Sequence, residues 1–194
     1  MKPKEIILAS TSPRRKEILS MFLDRFTILA PQTDETVPDG LSPEQVVLLL
    51  AERKARAAAA LTTTDSAAVI GADTVVALQG EILGKPADRA QAARMLRKLS
   101  GQAHSVYSGV CVLWEGRAYT GFEQTRVFMR SITEQELAAY IATGECDDKA
   151  GAYAIQGRAG LFIERIEGPY HNVVGLPLYT LGRIFNRLFD GLLS

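Results

Sequence analysis

Hydrophobic positions along the chain fall into short unbroken runs that alternate with stretches of helical spacing. Ile6 to Ala9 is a continuous apolar run ending in small polar residues, the pattern of a strand buried on both faces of a sheet. Ile18, Leu19 and Phe22 then recur at helical spacing, with Ser12 as the expected N-cap and Pro13 in the first turn. Phe26 to Ala30 predicts a second short strand, and residues 31–41, rich in Pro, Asp, Glu, Thr and Gly, predict a loop. Ser42-Pro43-Glu44-Gln45 supplies an N-cap, an N1 proline and a capping-box partner for a helix that runs to about Ala60 and carries Lys54.

Ala67 to Leu78 is β-branched and apolar except where Asp73-Thr74 interrupts it, and Gln79-Gly80 turns it into Glu81 to Leu83. Asp88 and Gln91 cap a helix from about Arg89 to Leu99, with Leu96 and Leu99 facing inward and Gly101 ending it. Val106 to Trp114 and Tyr119 to Met129 predict an antiparallel pair joined through Glu115-Gly116-Arg117. Thr133 to Glu136 is a second capping box, opening a helix to Thr143 that Gly144 ends; Leu161 to Ile166 predicts a strand and Leu178 to Phe189 a final helix. Strands alternating with helices around a hairpin predict a mixed, twisted α/β sheet flanked by helices, in one domain spanning residues 1–194.

Composition narrows the classes. Hydrophobic residues are 47% and charged residues 23% of 194, the balance of a globular chain that buries a core. The 22 basic residues equal the 22 acidic ones, so there is no global positive field for nucleic acid and any anion site must be local. Cys111 and Cys146 lie in no metal-ligand or disulfide-framework spacing. No apolar run is long enough for a bilayer, and the one at the N-terminus is too short for a signal region. A cytoplasmic location without membrane or nucleic-acid partners is therefore expected.

Candidate chemistry begins at Ser12-Pro13-Arg14-Arg15. A hydroxyl and two guanidinium groups stand there at a helix N-terminus, where orphan N–H donors and the macrodipole favour anions. Two cations in a first turn oppose the dipole, which an anionic ligand relieves; the alternative is solvation, or pairing with an acid such as Glu17. Asp73, inside an apolar strand, needs a cation, a metal or hydrogen-bond donors, and serves either as a divalent-ion ligand, as a proton acceptor, or as the structural partner of a Lys or Arg. Lys85, between Gly84 and Pro86, is a point charge on a fixed turn, and Glu35 is either a second metal oxygen or a solvated loop acid. Gln156 lies in a segment of small residues, where an amide either reads a pyrimidine base edge or decorates a polar loop. His104 and His171 fit no metal motif and read as ordinary polar residues, and there is neither a P-loop nor a GxSxG elbow.

Taken together, Leu8-Ala9-Ser10-Thr11-Ser12-Pro13-Arg14-Arg15, Ile70-Gly71-Ala72-Asp73-Thr74, Gly84-Lys85-Pro86, Asp148-Lys149-Ala150-Gly151-Ala152-Tyr153 and Asn172-Val173-Val174-Gly175-Leu176-Pro177 resemble the Maf family of nucleotide pyrophosphatases over nearly the whole chain. The resemblance implies a Maf/ITPase-like fold of two lobes with a cleft between them, and a homodimer. It also implies a divalent cation (Mg²⁺, Mn²⁺ or Co²⁺) in cleavage of a nucleoside triphosphate between the α and β phosphates. By motif matching, Asp73 is the proton acceptor, Glu35 joins Asp73 near the metal, Ser12, Arg15, Lys54 and Lys85 contact the polyphosphate, and Arg14, Thr74 and Gln156 set specificity. Ala152-Tyr153 followed by Ile155-Gln156-Gly157 is similar to the branch acting on dTTP and UTP. The alternatives are a methylguanine or other non-standard nucleotide pyrophosphatase, and a nucleotide-binding regulator of septum formation. Thr11 and Ser108 depart from the family pattern, away from the charged groups, and bear only on fine substrate preference.

Overall fold

The computed structural model describes residues 2–64 and 66–191. In chain order the elements are β1 (Glu5–Leu8), α1 (Pro13–Ser20), β2 (Thr27–Ile28), α2 (Pro43–Ala59), β3 (Ala67–Leu78), β4 (Glu81–Leu83), α3 (Arg89–Leu99), β5 (Ala103–Trp114), β6 (Arg117–Met129) and α4 (Glu134–Ala142). Two 3-10 turns (Ala150–Ala152 and Arg158–Phe162), β7 (Ile163–Glu167), α5 (Tyr170–Val174) and α6 (Leu178–Phe189) follow. Among the described residues, seven strands form one sheet in the order β2-β1-β3-β5-β6-β7, with β4 pairing β3 off that path. β1 is parallel to β2 and β3, whereas β3/β4 and β6/β7 are antiparallel, so the sheet is mixed as the pattern predicts.

Local chemistry sets most boundaries. Both capping boxes form, Ser42 with Gln45 and Thr133 with Glu136, and Asp88 accepts from the Gln91 N–H at 2.6 Å. The turns Gln79-Gly80 (φ 51° and 87°) and Glu115-Gly116 (φ 48° and 75°) hold both central residues left-handed, which matches the strand twist and closes each hairpin in two residues. Strand β6 therefore starts at Arg117, earlier than its apolar pattern indicates, and β5 starts at Ala103.

Several expectations change, and one short helix has no counterpart in the sequence pattern. Ser12 occupies the N-cap position of α1 but its side chain makes no capping bond, and Phe22 lies beyond the helix end. The second strand shrinks to Thr27–Ile28, both exposed, because only β1 pairs with it. Leu161, 77% exposed, belongs to a 3-10 turn, and β7 begins at Ile163. Helix α5, five residues long, is too short to show a helical period.

The chain divides into two compact units, residues 1–73, 108–123 and 175–194 in the first and residues 74–107 and 124–174 in the second, so β3, β5 and β6 each contribute to both. In the first unit α2 lies unusually near the sheet. A Cβ added at Gly71 would stand 2.1 Å from the Ala51 carbonyl oxygen and 2.7 Å from the Ala55 nitrogen, and one at Gly109 would stand 2.5 Å from the Val47 oxygen. The alanines that favour helix in α2 are also the ones that permit this approach; Ala51, Ala55 and Ala58 are buried with Ile7, Val69 and Cys111. The second core contains Val76, Leu83, Leu96, Leu99, Val127 and Phe162, with Leu96 and Leu99 facing inward as expected. His104 is not an ordinary polar residue: it is 3% exposed within this core and shares a 2.7 Å hydrogen bond with the Tyr153 hydroxyl. Burial pulls its pKa from 6.5 to about 4. Among the described residues, no helix is long and apolar enough to cross a membrane.

Two predictions follow from this packing. Gly71→Ala lowers the unfolding free energy in urea by about 3 kcal/mol through overpacking, whereas Gly84→Ala, whose Cβ meets nothing within 4 Å, is near neutral. For His104, the native ring stays neutral down to about pH 4 while the unfolded ring takes up a proton near 6.5. The unfolded state thus binds more protons in that window, and stability is lost as the pH falls through it. Lowering the pH from about 7 to 5 removes about 2 kcal/mol from the native protein that a His104→Gln variant does not lose. Equal pH slopes in the two proteins would rule this out.

Candidate active site

Asp73 is the residue around which the first unit's polar groups collect. It sits in β3 between the buried residues Ala72 and Val75 and is itself 8% exposed, so its charge requires a partner. Lys54 supplies it, with Nζ 2.5 Å from Asp73 Oδ1 and 2.8 Å from Glu35 Oε1. The local reason is the glycine two residues earlier. Because Gly71 lets Ala51 and Ala55 of α2 rest on the strand, Lys54, next to Ala55, reaches the carboxylate. Glu35 comes from the 31–41 loop, which Arg53 holds on both sides of it by donating from Nη1 to the carbonyl oxygens of Asp34 and Thr36. The Asp34 carboxylate in turn accepts from the Thr36 N–H at 2.8 Å.

Arg15 is the second anchor. Its Nε donates to the Gly175 carbonyl at 2.7 Å and its Nη1 to Ser10 Oγ at 3.3 Å, and the same Oγ accepts from the Ser12 N–H at 3.2 Å. Burial lowers the Arg15 pKa from its ordinary value; the Asp73 charge opposes that shift, Arg14 adds to it and Glu35 opposes it. Arg14, Arg15, Lys54, Asp73 and Glu35 thus belong to one electrostatic neighbourhood, three cations against two carboxylates. A backbone carbonyl and a buried serine hold Arg15 here.

The carboxylates of Asp73 and Glu35 converge on a single cation, the Lys54 ammonium, and both are hard oxygen donors. That donor set fits a magnesium-type ion, which is held by one or two carboxylates and completed by substrate phosphate oxygens and water. Among the described residues there is no cluster of three or more His, Cys, Asp or Glu side chains that would cage a metal without substrate.

The second unit holds the remaining candidates. Thr74 follows Asp73 directly and is half-buried, Lys85 is exposed in the turn after β4, and Gln156 is exposed. The Gly84 carbonyl accepts from the Gly151 N–H at 3.0 Å, so the turn bearing Lys85 is joined to the loop bearing Gln156. Small residues in that loop serve close packing: a Cβ on Gly151 would lie 2.9 Å from Val76 Cγ2, and Ala152 is fully buried.

Ser10 and Gly175 hold Arg15 in place and carry no assigned role in the sequence. A buried arginine demands oxygen acceptors, but no local pattern says that one of them is a carbonyl 160 residues away.

The family model described as "Maf-like protein" matches residues 5–188. Among curated proteins, the chain is 51% identical to the dTTP/UTP pyrophosphatase of Pelotomaculum thermopropionicum, over 95% of this chain and 96% of that one. It is 54% identical to the protein of the same name from a Geobacillus species, over 95% and 98% of the two chains. The dTTP/UTP pyrophosphatase of Thermococcus gammatolerans is 45% identical, over 92% and 94%.

The Lys54 bridge makes a measurable stability claim. Lys54→Met strands the Asp73 charge and lowers the unfolding free energy by about 3 kcal/mol, and adding Asp73→Asn to that variant restores most of the loss. Strictly additive effects of the two substitutions in chemical denaturation would show that the pair is not coupled.

Proposed function

We infer that this chain, which belongs to the Maf-like protein family, is a nucleoside triphosphate pyrophosphatase that hydrolyses dTTP and UTP to the nucleoside monophosphate and pyrophosphate. The observation that supports the reading best is the convergence of Asp73 and Glu35 on Lys54, in the same electrostatic neighbourhood as Arg14 and Arg15. A triphosphate brings about four negative charges, and in-line displacement at phosphorus is helped chiefly by positioning and by cations.

In this reading a water molecule attacks the α phosphorus, the Asp73 carboxylate accepts its proton, the α–β bridging bond breaks and pyrophosphate leaves. Arg15, Lys54 and Lys85 bind the polyphosphate chain, and Ser12 presents its hydroxyl to the same anion. A divalent cation held by Glu35 and Asp73 supplies Lewis-acid neutralisation of the phosphate charge. The Lys54 ammonium holds Asp73 and Glu35 on one point until that charge arrives. Arg14, Thr74 and Gln156 discriminate among bases. Their roles, like that of Lys85, rest on motif matching to the family. A homodimer belongs to the same proposal on the same ground, and a cytoplasmic location joins it on the ground of composition.

The deciding experiment is product analysis with a panel of nucleotides in the presence of Mg²⁺. Pyrophosphate appears as the first product, with dTTP and UTP preferred over GTP and methylated guanine nucleotides. Asp73→Asn lowers kcat by about 10² to 10⁴-fold while the circular dichroism spectrum is retained. Orthophosphate as the first product, or full activity in Asp73→Asn, would overturn the assignment.

A further inference from the structure

Gln156 is an exposed amide on a loop, yet the backbone on both sides of it is fixed more firmly than an ordinary surface loop requires. On the N-terminal side, Gly151 and Ala152 are both left-handed, with φ of 67° and 62°. For alanine that conformation carries a penalty of about 1 kcal/mol, and it persists only where the surroundings impose it. The surroundings are visible. Ala152 is fully buried, Gly151 is pressed against Val76 and donates to the Gly84 carbonyl, and the next residue, Tyr153, is buried with its hydroxyl 2.7 Å from His104 Nε2. The two rings meet edge to face at 5.4 Å. His104 spends a buried ring on this contact, and its Nδ1 has no hydrogen-bond partner among the described residues.

On the C-terminal side, the Glu145 carboxylate accepts from the Arg158 N–H at 3.0 Å and the Ala159 N–H at 3.5 Å, while the Tyr140 hydroxyl donates to it at 3.1 Å. Gly157 lies directly over that carboxylate: a Cβ there would stand 2.2 Å from Oε1. The segment between the clamps is three residues, Ala154, Ile155 and Gln156, closed by the Gly157 N–H donating to the Ala154 carbonyl at 3.0 Å. A side chain whose flanking backbone is pinned at both ends loses little entropy on engaging a ligand, which is the physical content of preorganisation.

We propose that His104, through Tyr153, and Glu145, through the backbone at Gly157 and Arg158, are positioning residues that hold Gln156 for recognition of the pyrimidine base. The proposal rests on the pyrophosphatase reading for its ligand and on the two clamps for its mechanism. Neither residue touches substrate; each acts by restricting where the Gln156 amide can be.

Two substitutions loosen one clamp each and leave the charged cluster of the first unit unaltered. Tyr153→Phe removes only a hydroxyl, and Gly157→Ala drives a methyl group against the Glu145 carboxylate. Each lowers the dTTP-to-GTP ratio of kcat/KM by about five- to tenfold, through a higher KM for dTTP, with kcat changed by less than about twofold. In a Gln156→Ala background neither substitution lowers the ratio further, because a positioning effect has nothing left to position. An unchanged ratio, or the same fall with Gln156 absent, overturns the proposal. If the native enzyme shows no preference for dTTP over GTP, the substrate reading fails. Amide hydrogen exchange over residues 154–158 then decides the clamps by themselves: exchange about tenfold faster in Tyr153→Phe supports them, and unchanged exchange overturns them.

Discussion

A carboxylate inside an apolar strand is the constraint that organises the first unit. Asp73 lies between buried neighbours, where an unpaired charge would be far less stable than in water, and the Lys54 ammonium answers it at 2.5 Å. The helix that carries this lysine also sits lower on the sheet than an ordinary side-chain layer allows. Gly71 and Gly109 remove the obstacle on the sheet, and Ala51 and Ala55 remove it on the helix. The run of small residues in α2, which by itself reads as helix propensity, therefore also serves the close packing of the helix beside Asp73.

The same requirement draws in the surrounding loops. Lys54 also meets Glu35, and its neighbour Arg53 secures the backbone on either side of that glutamate, so two adjacent side chains of α2 fix the 31–41 loop. Arg15, desolvated and partly sustained by the fields of Asp73 and Glu35, fastens the start of α1 to Gly175 and Ser10. By contrast, the loop of the second unit is held by neutral hydrogen bonding and steric fit, with Glu145 as its charged member. One region is held by paired charges, the other by neutral contacts around a single carboxylate.

What the sequence disclosed tracks the range of each interaction. Capping boxes at Ser42 and Thr133, the cap at Asp88 and the turn at Gln79-Gly80 are decided within four residues and form as their local patterns indicate, while the turn at Glu115 closes one residue sooner, at Gly116. Asp73 was conspicuous because an acid interrupting an apolar strand is visible without knowing its partner. Its partner was not visible from spacing, since the link from Lys54 depends on how a helix packs across a sheet. Ser12 shows the reverse failure: its position suits a cap, but the N–H of Ser12 itself turns to Ser10 and no side-chain cap forms. The burial of His104 left no local mark, because one polar residue at the start of an apolar strand looks the same whether its end faces water or a tyrosine hydroxyl.

The acceptor for Arg15 Nε is Gly175, which opens the third segment of the first unit, after the whole of the second unit has passed in sequence. During synthesis on the ribosome the second unit's segments, ending at Val174, are all available before that carbonyl emerges. The unit that opens the chain is thus completed by the segment that closes it. A chain ending short of Gly175 lacks this acceptor, so the start of α1 gains its anchor to the C-terminal segment only once that segment has been made.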